Sequence, residues 1–129
     1  MFVALLDDRV VGTVYLWLEK AEEPLIEAKL RRVPLLTHLK VHPDFRNQGI
    51  GTSLVEAVEA SAKRLGHEKV ALAVEENNVD AKRLYDRLNY TEWGYGFVDC
   101  YKDVKLLGGE CEPEKCYVLT KQVGAVLPS

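Results

Sequence analysis

Residues 46 to 52 read RNQGIGT and stand between LTHLKV, a run of strand character, and a run of helical periodicity. A strand that turns into a helix gathers unpaired backbone N–H groups at the helix N-terminus, where the helix dipole also favours negative charge. Such a turn can hold a phosphate. Gly49 and Gly51 carry no side chain to keep an anion from the backbone. A tight turn that needs glycine for conformation alone would show the same pair. The stretch is not a P-loop, because no Lys-Ser or Lys-Thr follows the second glycine, and the third glycine of a dinucleotide fingerprint is missing.

Other reactive residue types are scattered. His38, His42 and His67 have no helical i, i+4 relation, so no metal is expected. Cys100, Cys111 and Cys116 are odd in number and lack the close pairs of a zinc site, so three free thiols are expected rather than a disulfide framework. Cys100 lies far along the chain from any histidine, and no side chain has the look of a triad nucleophile.

The elements that must position the glycine turn follow from pattern. FVALL (2–6) and VVGTVYLWL (10–18) flank DDR, and the turn formers Asp7 and Asp8 predict an antiparallel hairpin. EKAEEPLIEAKLRR is polar, carries Pro24, and reads as an exposed connection. A third strand, VPLLTHLKV, leads to His42 and Pro43. From Gly51 to Leu65, apolar Leu54, Val55, Val58, Ala62 and Leu65 recur at helical spacing, with Glu56, Glu59, Lys63 and Arg64 on the other face and Gly66 at the end. KVALAV is short and continuously apolar, as in a strand covered on both faces and parallel to a neighbour. Asn77 or Asn78 can cap the next helix, where Ala81, Leu84, Tyr85 and Leu88 form one stripe and Asn89 closes it. TEWGYGFVDCY, a polar insert and a last strand, CYVLTKQV, complete the chain.

A length of 129 residues fits one domain with its own core. The net charge of −3 argues against broad attraction to nucleic acid, so any anion needs a local device. No apolar run approaches a membrane span and MFVALLDDRV lacks the form of a signal peptide, which predicts a cytoplasmic protein with no membrane partner.

In this order of elements, RNQGIG and the later NVDAKRLYDRLNY resemble the two signatures of the GNAT superfamily of acyl-CoA N-acetyltransferases, over roughly residues 2 to 121. The resemblance implies an α/β (α+β) fold with a mixed, mostly antiparallel central sheet, helices on its faces and a splay where the glycine turn begins. It implies an N-acetyltransferase that moves an acetyl group from acetyl-CoA to a primary amine by direct attack. Carried over by position, Gln48, Gly49, Ile50, Gly51 and Thr52 would offer backbone donors to the diphosphate of acetyl-CoA, and Arg46 and Asn47 would shape that loop. Leu39 and Val41 would bond the pantetheine arm through their backbones, with Asn78 on its other side. Tyr85, whose hydroxyl in the family lies near the thioester sulfur, is the catalytic candidate; by itself it also fits a partly buried stripe aromatic.

This chain departs from the pattern in three places. Asn89 stands where the family closes its helix with Gly. Leu35 and Thr37 stand on the third strand where many members carry a glutamate base, which leaves His38, His42, Glu27 or a chain of waters as acceptors of the amine's proton. The chain starts at the hairpin, where members usually have a strand and two helices before it. The expectation is a single GNAT-like domain over 1–129 without those elements, which is either a truncated form or has its exposed edge covered by a second copy in a homodimer. Lys82, Arg83 and Arg87 fit a solvated helix face or a contact with the 3′-phosphate of CoA; Trp93, Tyr95 and Phe97 fit a core or an acceptor pocket. A CoA-binding module without turnover, serving assembly or regulation, is the alternative function, and a purely structural interaction domain a third. The identity of the amine is not encoded in these motifs.

Overall fold

Asp7 and Asp8 have φ of 49° and 64°, the left-handed pair that a two-residue hairpin needs to match the twist of its strands. They join β1 (Phe2–Leu6) to β2 (Arg9–Trp17), antiparallel as expected. The computed structural model describes residues 1–19, 21, 23–101 and 113–124. After the hairpin come α1 (Pro24–Lys29), β3 (Leu35–Val41), α2 (Ile50–Arg64), β4 (Lys69–Glu75), α3 (Val79–Arg87), β5 (Thr91–Glu92), β6 (Val98–Tyr101) and β7 (Pro113–Gln122). The seven strands form one sheet in the order β1-β2-β3-β4-β7-β5, with β6 also paired to β7. Only β3 and β4 run parallel among the described pairs. Residues 102–112 of the polar insert lie outside the described residues, and Pro113, Glu114 and Lys115 belong to β7.

Two apolar clusters sit on opposite faces of the sheet. Leu54, Val55, Val58 and Ala62 of α2 pack with Val14, Leu36, Val70 and Leu72 of the strands, and Ala81, Tyr85 and Leu88 bring α3 onto the same face. A Cβ at Gly12 would stand 2.9 Å from Leu54 Cδ1 and 3.1 Å from Ile50 Cγ2. Glycine there lets α2 settle directly on β2. On the other face Ile26 packs with Val98, Cys116 and Val118.

Three expectations are corrected. The segment read as an exposed connection contains α1: Glu23 caps it by accepting from Ile26 N at 2.7 Å, Pro24 opens it, and Ile26 is buried. Pro suits a first helical position, and six residues are too few to show a helical period. Glu59, assigned to the polar face of α2, is half-buried and accepts from Tyr90 Oη at 2.8 Å and from Lys121 Nζ at 3.0 Å. Those partners come from the residue before β5 and from β7. Cys116 is buried and disulfide-bonded rather than a free thiol, and its partner's side chain lies outside those described.

Candidate active site

The site begins where two parallel strands part. Leu35 pairs with Ala71, and Ala71 N donates to Pro34 O at 3.0 Å. No further β3–β4 pair follows among the described residues, although β3 continues to Val41 and β4 to Glu75. Because the strands are parallel, α2 and α3 both start at their carboxyl ends, one on each side of the opening. Ligands of open α/β sheets bind at such places.

A β-bulge turns β3 toward that opening. Thr13 pairs with Lys40 and Tyr15 with Thr37, so Val14 faces both His38 and Leu39, one residue more than a regular ladder holds. His38 takes the extra position with φ of 54°. The bulge shifts the alternation of side chains: Leu36 faces α2 before it, and Leu39 and Val41 do so after it. His42 N donates to Val11 O on β2 at 2.7 Å, so by alternation the amides of Leu39 and Val41 turn away from β2, into the opening.

Beyond His42 a short 3-10 turn (Pro43–Phe45) carries the chain to the glycine loop. Asn47 and Gly49 have φ of 62° and 81°. Gly49 is the N-cap of α2 and has no side chain to bond the first-turn amides; the first backbone bond of the helix is Ser53 N to Gly49 O at 3.0 Å. Arg46, Asn47, Gln48 and Gly49 are exposed, while Ile50, Gly51 and Thr52 are half-buried. Arg46 Nε reaches Val41 O at 3.4 Å, tying loop to strand. An uncapped N-terminus of a 15-residue helix, open to solvent, fits the diphosphate of CoA on its donors alone. The two glycines act differently. A Cβ at Gly49 would meet nothing within 4 Å, so its need is conformational, whereas one at Gly51 would come into contact with Leu84 Cδ2 at 3.4 Å and Val41 Cγ2 at 3.8 Å.

Across the opening, Asn78 caps α3, its Oδ1 accepting from Ala81 N at 3.2 Å. Tyr85, one turn further along, is buried in the α2–α3 core with its ring edge-on to Tyr90 at 5.6 Å. No described residue bonds its hydroxyl, and burial pushes its pKa well above the ordinary phenol value. The phenol therefore holds its proton throughout the neutral range. Of the basic group on α3, Lys82 is committed to Asp86 at 2.8 Å and lies 5.2 Å from the centre of the Tyr117 ring.

The glycine loop, the amides of Leu39 and Val41, and Asn78 thus gather at one end of the sheet, with Tyr85 behind them in the core. Trp93 is half-buried against the second cluster and donates to Gly96 O at 2.8 Å, while Tyr95 and Phe97 are exposed. Trp93 and Phe97 line a cavity of about 210 Å³ with Glu92, Tyr117 and Val118. Sequence reasoning missed the bulge at His38 and the buried, unpartnered hydroxyl of Thr37. One signal was present: Leu36, Leu39 and Val41 cannot share a face at a strict period of two.

The chain is similar to known proteins in a consistent way. Residues 1–90 match the model of the Acetyltransferase (GNAT) family. N-acetyltransferase 8B of Homo sapiens is 33% identical over 97 residues, 74% of this chain and 40% of that protein. An uncharacterized N-acetyltransferase of Methanocaldococcus jannaschii is 33% identical over 94 residues, 70% of this chain and 38% of that protein. This chain spans about two fifths of the length of the curated relatives it matches. Among solved structures, yncA of Salmonella typhimurium with its cofactor acetyl-CoA has a TM-score of 0.69 at 16% identity, covering 98% of this chain and 66% of that one. Arabidopsis thaliana Naa50, in complex with a bisubstrate analogue of CoA and a peptide, has a TM-score of 0.65 at 24% identity, covering 93% and 70%. With its parted parallel strands, its uncapped glycine turn and a family match over most of its length, this chain belongs to the GNAT acetyltransferase family.

Proposed function

We propose that this chain carries the active site of an N-acetyltransferase that moves the acetyl group of acetyl-CoA to a primary amine by direct attack. The observation that carries the reading is the parting of β3 and β4 beside the open N-terminus of α2. Acetyl-CoA, when bound, supplies an acyl carbon activated as a thioester. The amides of Gln48, Gly49, Ile50, Gly51 and Thr52 hold its diphosphate, with Arg46 and Asn47 setting the loop. Leu39 and Val41 bond the pantetheine arm through their backbones, and Asn78 meets the arm from the other side. Tyr85 keeps its proton on Oη and gives it to the departing sulfur. An acceptor of peptide class is supported by the Naa50 complex, whose analogue joins CoA to a peptide.

A homodimer and a cytoplasmic setting belong to this proposal. β1 ends the sheet, with β2 its one strand partner among the described residues, and Val3, Leu5, Tyr15 and Trp17 are exposed. An apolar edge of that kind invites association. No described helix is long and apolar enough to cross a membrane.

Thiol release from acetyl-CoA with a panel of amines tests the reading, beside thermal unfolding with acetyl-CoA. Ligand at about 100 times its dissociation constant should add about 2.7 kcal/mol of stability. Binding without turnover across the panel would favour a CoA-binding module, and no binding would remove both. Light scattering at micromolar concentration reports the dimer; a monomeric mass counts against it.

A further inference from the structure

We propose that the imidazole of His38 takes the proton from the attacking amine. The assignment rests on the acetyl-transfer reading above. An amine that forms a bond to an acyl carbon must shed a proton, and a positioned base speeds that step. Leu35 and Thr37, on the face of β3 turned away from α2, have no group that titrates in the physiological range.

The backbone at His38 is the first observation. Its φ of 54° lies in the left-handed region, where a side chain is strained and where glycine would sit freely. A bulge residue in that conformation is ordinarily glycine. Keeping a histidine there costs backbone energy, and strain of this kind collects at functional sites.

Its direction is the second. The His38 ring meets the Tyr15 ring edge-on, centroids 5.7 Å apart and planes at 81°. Val14 and Leu16 point into the core beneath α2, so Tyr15 between them points to the opposite face, and His38 with it. Tyr85 serves the opening from the α2–α3 face. The leaving sulfur and the incoming amine would thereby be attended from opposite faces of the sheet. Thr37 adds a third observation: opposite Tyr15 in the ladder, it keeps a buried hydroxyl without a partner next to the proposed base.

The two rival side chains hold structural hydrogen bonds. Glu27 Oε2 accepts from Ala21 N at 3.0 Å, fastening the chain before α1. His42 Nδ1 accepts from Asp44 N at 3.2 Å and caps the 3-10 turn. No described residue hydrogen-bonds the His38 ring. In the balanced step the amine nitrogen bonds the acyl carbon, the carbon–sulfur bond breaks, the amine proton passes to the bare ring nitrogen of His38 and then to water, and the sulfur is protonated from Tyr85, which regains a proton from water.

His38→Gly and His38→Asn test the assignment, since both residues accept a positive φ and neither supplies a base. Thermal unfolding with and without acetyl-CoA, and thiol release over the amine panel with and without added imidazole, are the readouts. The Gly variant should unfold at the wild-type temperature or above and keep the full acetyl-CoA shift. Its turnover should fall by roughly 10²- to 10⁴-fold, and added imidazole should restore part of it. Wild-type turnover in either variant, or a loss that imidazole leaves untouched, would overturn the proposal. A wild-type protein that binds acetyl-CoA and acetylates no amine would overturn the acetyl-transfer reading, and this assignment with it.

Discussion

Leu35 and Ala71 are the registered pair between β3 and β4, and from that point the strands leave a row of main-chain groups turned toward each other without a ladder. The amides of Leu39 and Val41 face this opening, and that of Lys40 faces β2. Acetyl-CoA should slow hydrogen exchange at Leu39 and Val41 by roughly fivefold, as expected of a hydrogen bond worth about 1 kcal/mol. Exchange at Lys40 should not change. Equal protection at all three would point to general stiffening instead of a bound arm.

Gly49→Glu places a carboxylate at the proposed diphosphate site, and the acetyl-CoA thermal shift should vanish. Gly49→Ala meets no steric obstacle but keeps φ at 81°, so it should lower stability by about 1–2 kcal/mol. A full ligand shift in the Glu variant would place the diphosphate elsewhere.

Tyr85→Phe removes a hydroxyl that no described residue bonds and keeps the ring in its core position. Turnover should fall by roughly 10²-fold, with the acetyl-CoA shift unchanged. An unaltered rate would leave Tyr85 as a packing aromatic alone.

Alkaline pH should weaken the fold. Burial raises the Tyr85 phenol; burial, then the hydrogen bond and charge of Glu59, raise that of Tyr90. With the folded value above the unfolded one, this contribution is fully present below about pH 10. Above it the unfolded chain sheds protons that the folded chain keeps, and stability falls as pH rises by up to about 1.4 kcal/mol per pH unit for each phenol. Urea unfolding on both sides of that pH should show the decline, shallower in Tyr90→Phe.

Gly12→Ala should destabilise the fold by about 1–3 kcal/mol, the ordinary range for overpacking. The new methyl would crowd Leu54, Ile50 and the Lys40 carbonyl at 3.1 Å. Since Ile50 opens α2, acetyl-CoA affinity should weaken as well, which calorimetry would detect.

Much of this architecture was written locally. The paired aspartates marked the hairpin, the apolar spacing from Leu54 to Ala62 marked α2, and an asparagine capped α3. α1 escaped notice because less than two turns carry no period and its proline looked like a breaker. Glu59 was placed in solvent because its partners, Tyr90 and Lys121, are remote in sequence.

From its sequence alone this protein declared most of its elements, its family and the glycine turn, because conformational preference and periodicity reside in neighbouring residues. Tertiary structure alone decided that the splay of β3 and β4 begins after Leu35 and that a bulge lifts His38 into a strained conformation beside Tyr15. The physical reason is that register and burial belong to pairs of segments. They are settled only when strands far apart in the chain satisfy their hydrogen bonds and apolar faces together.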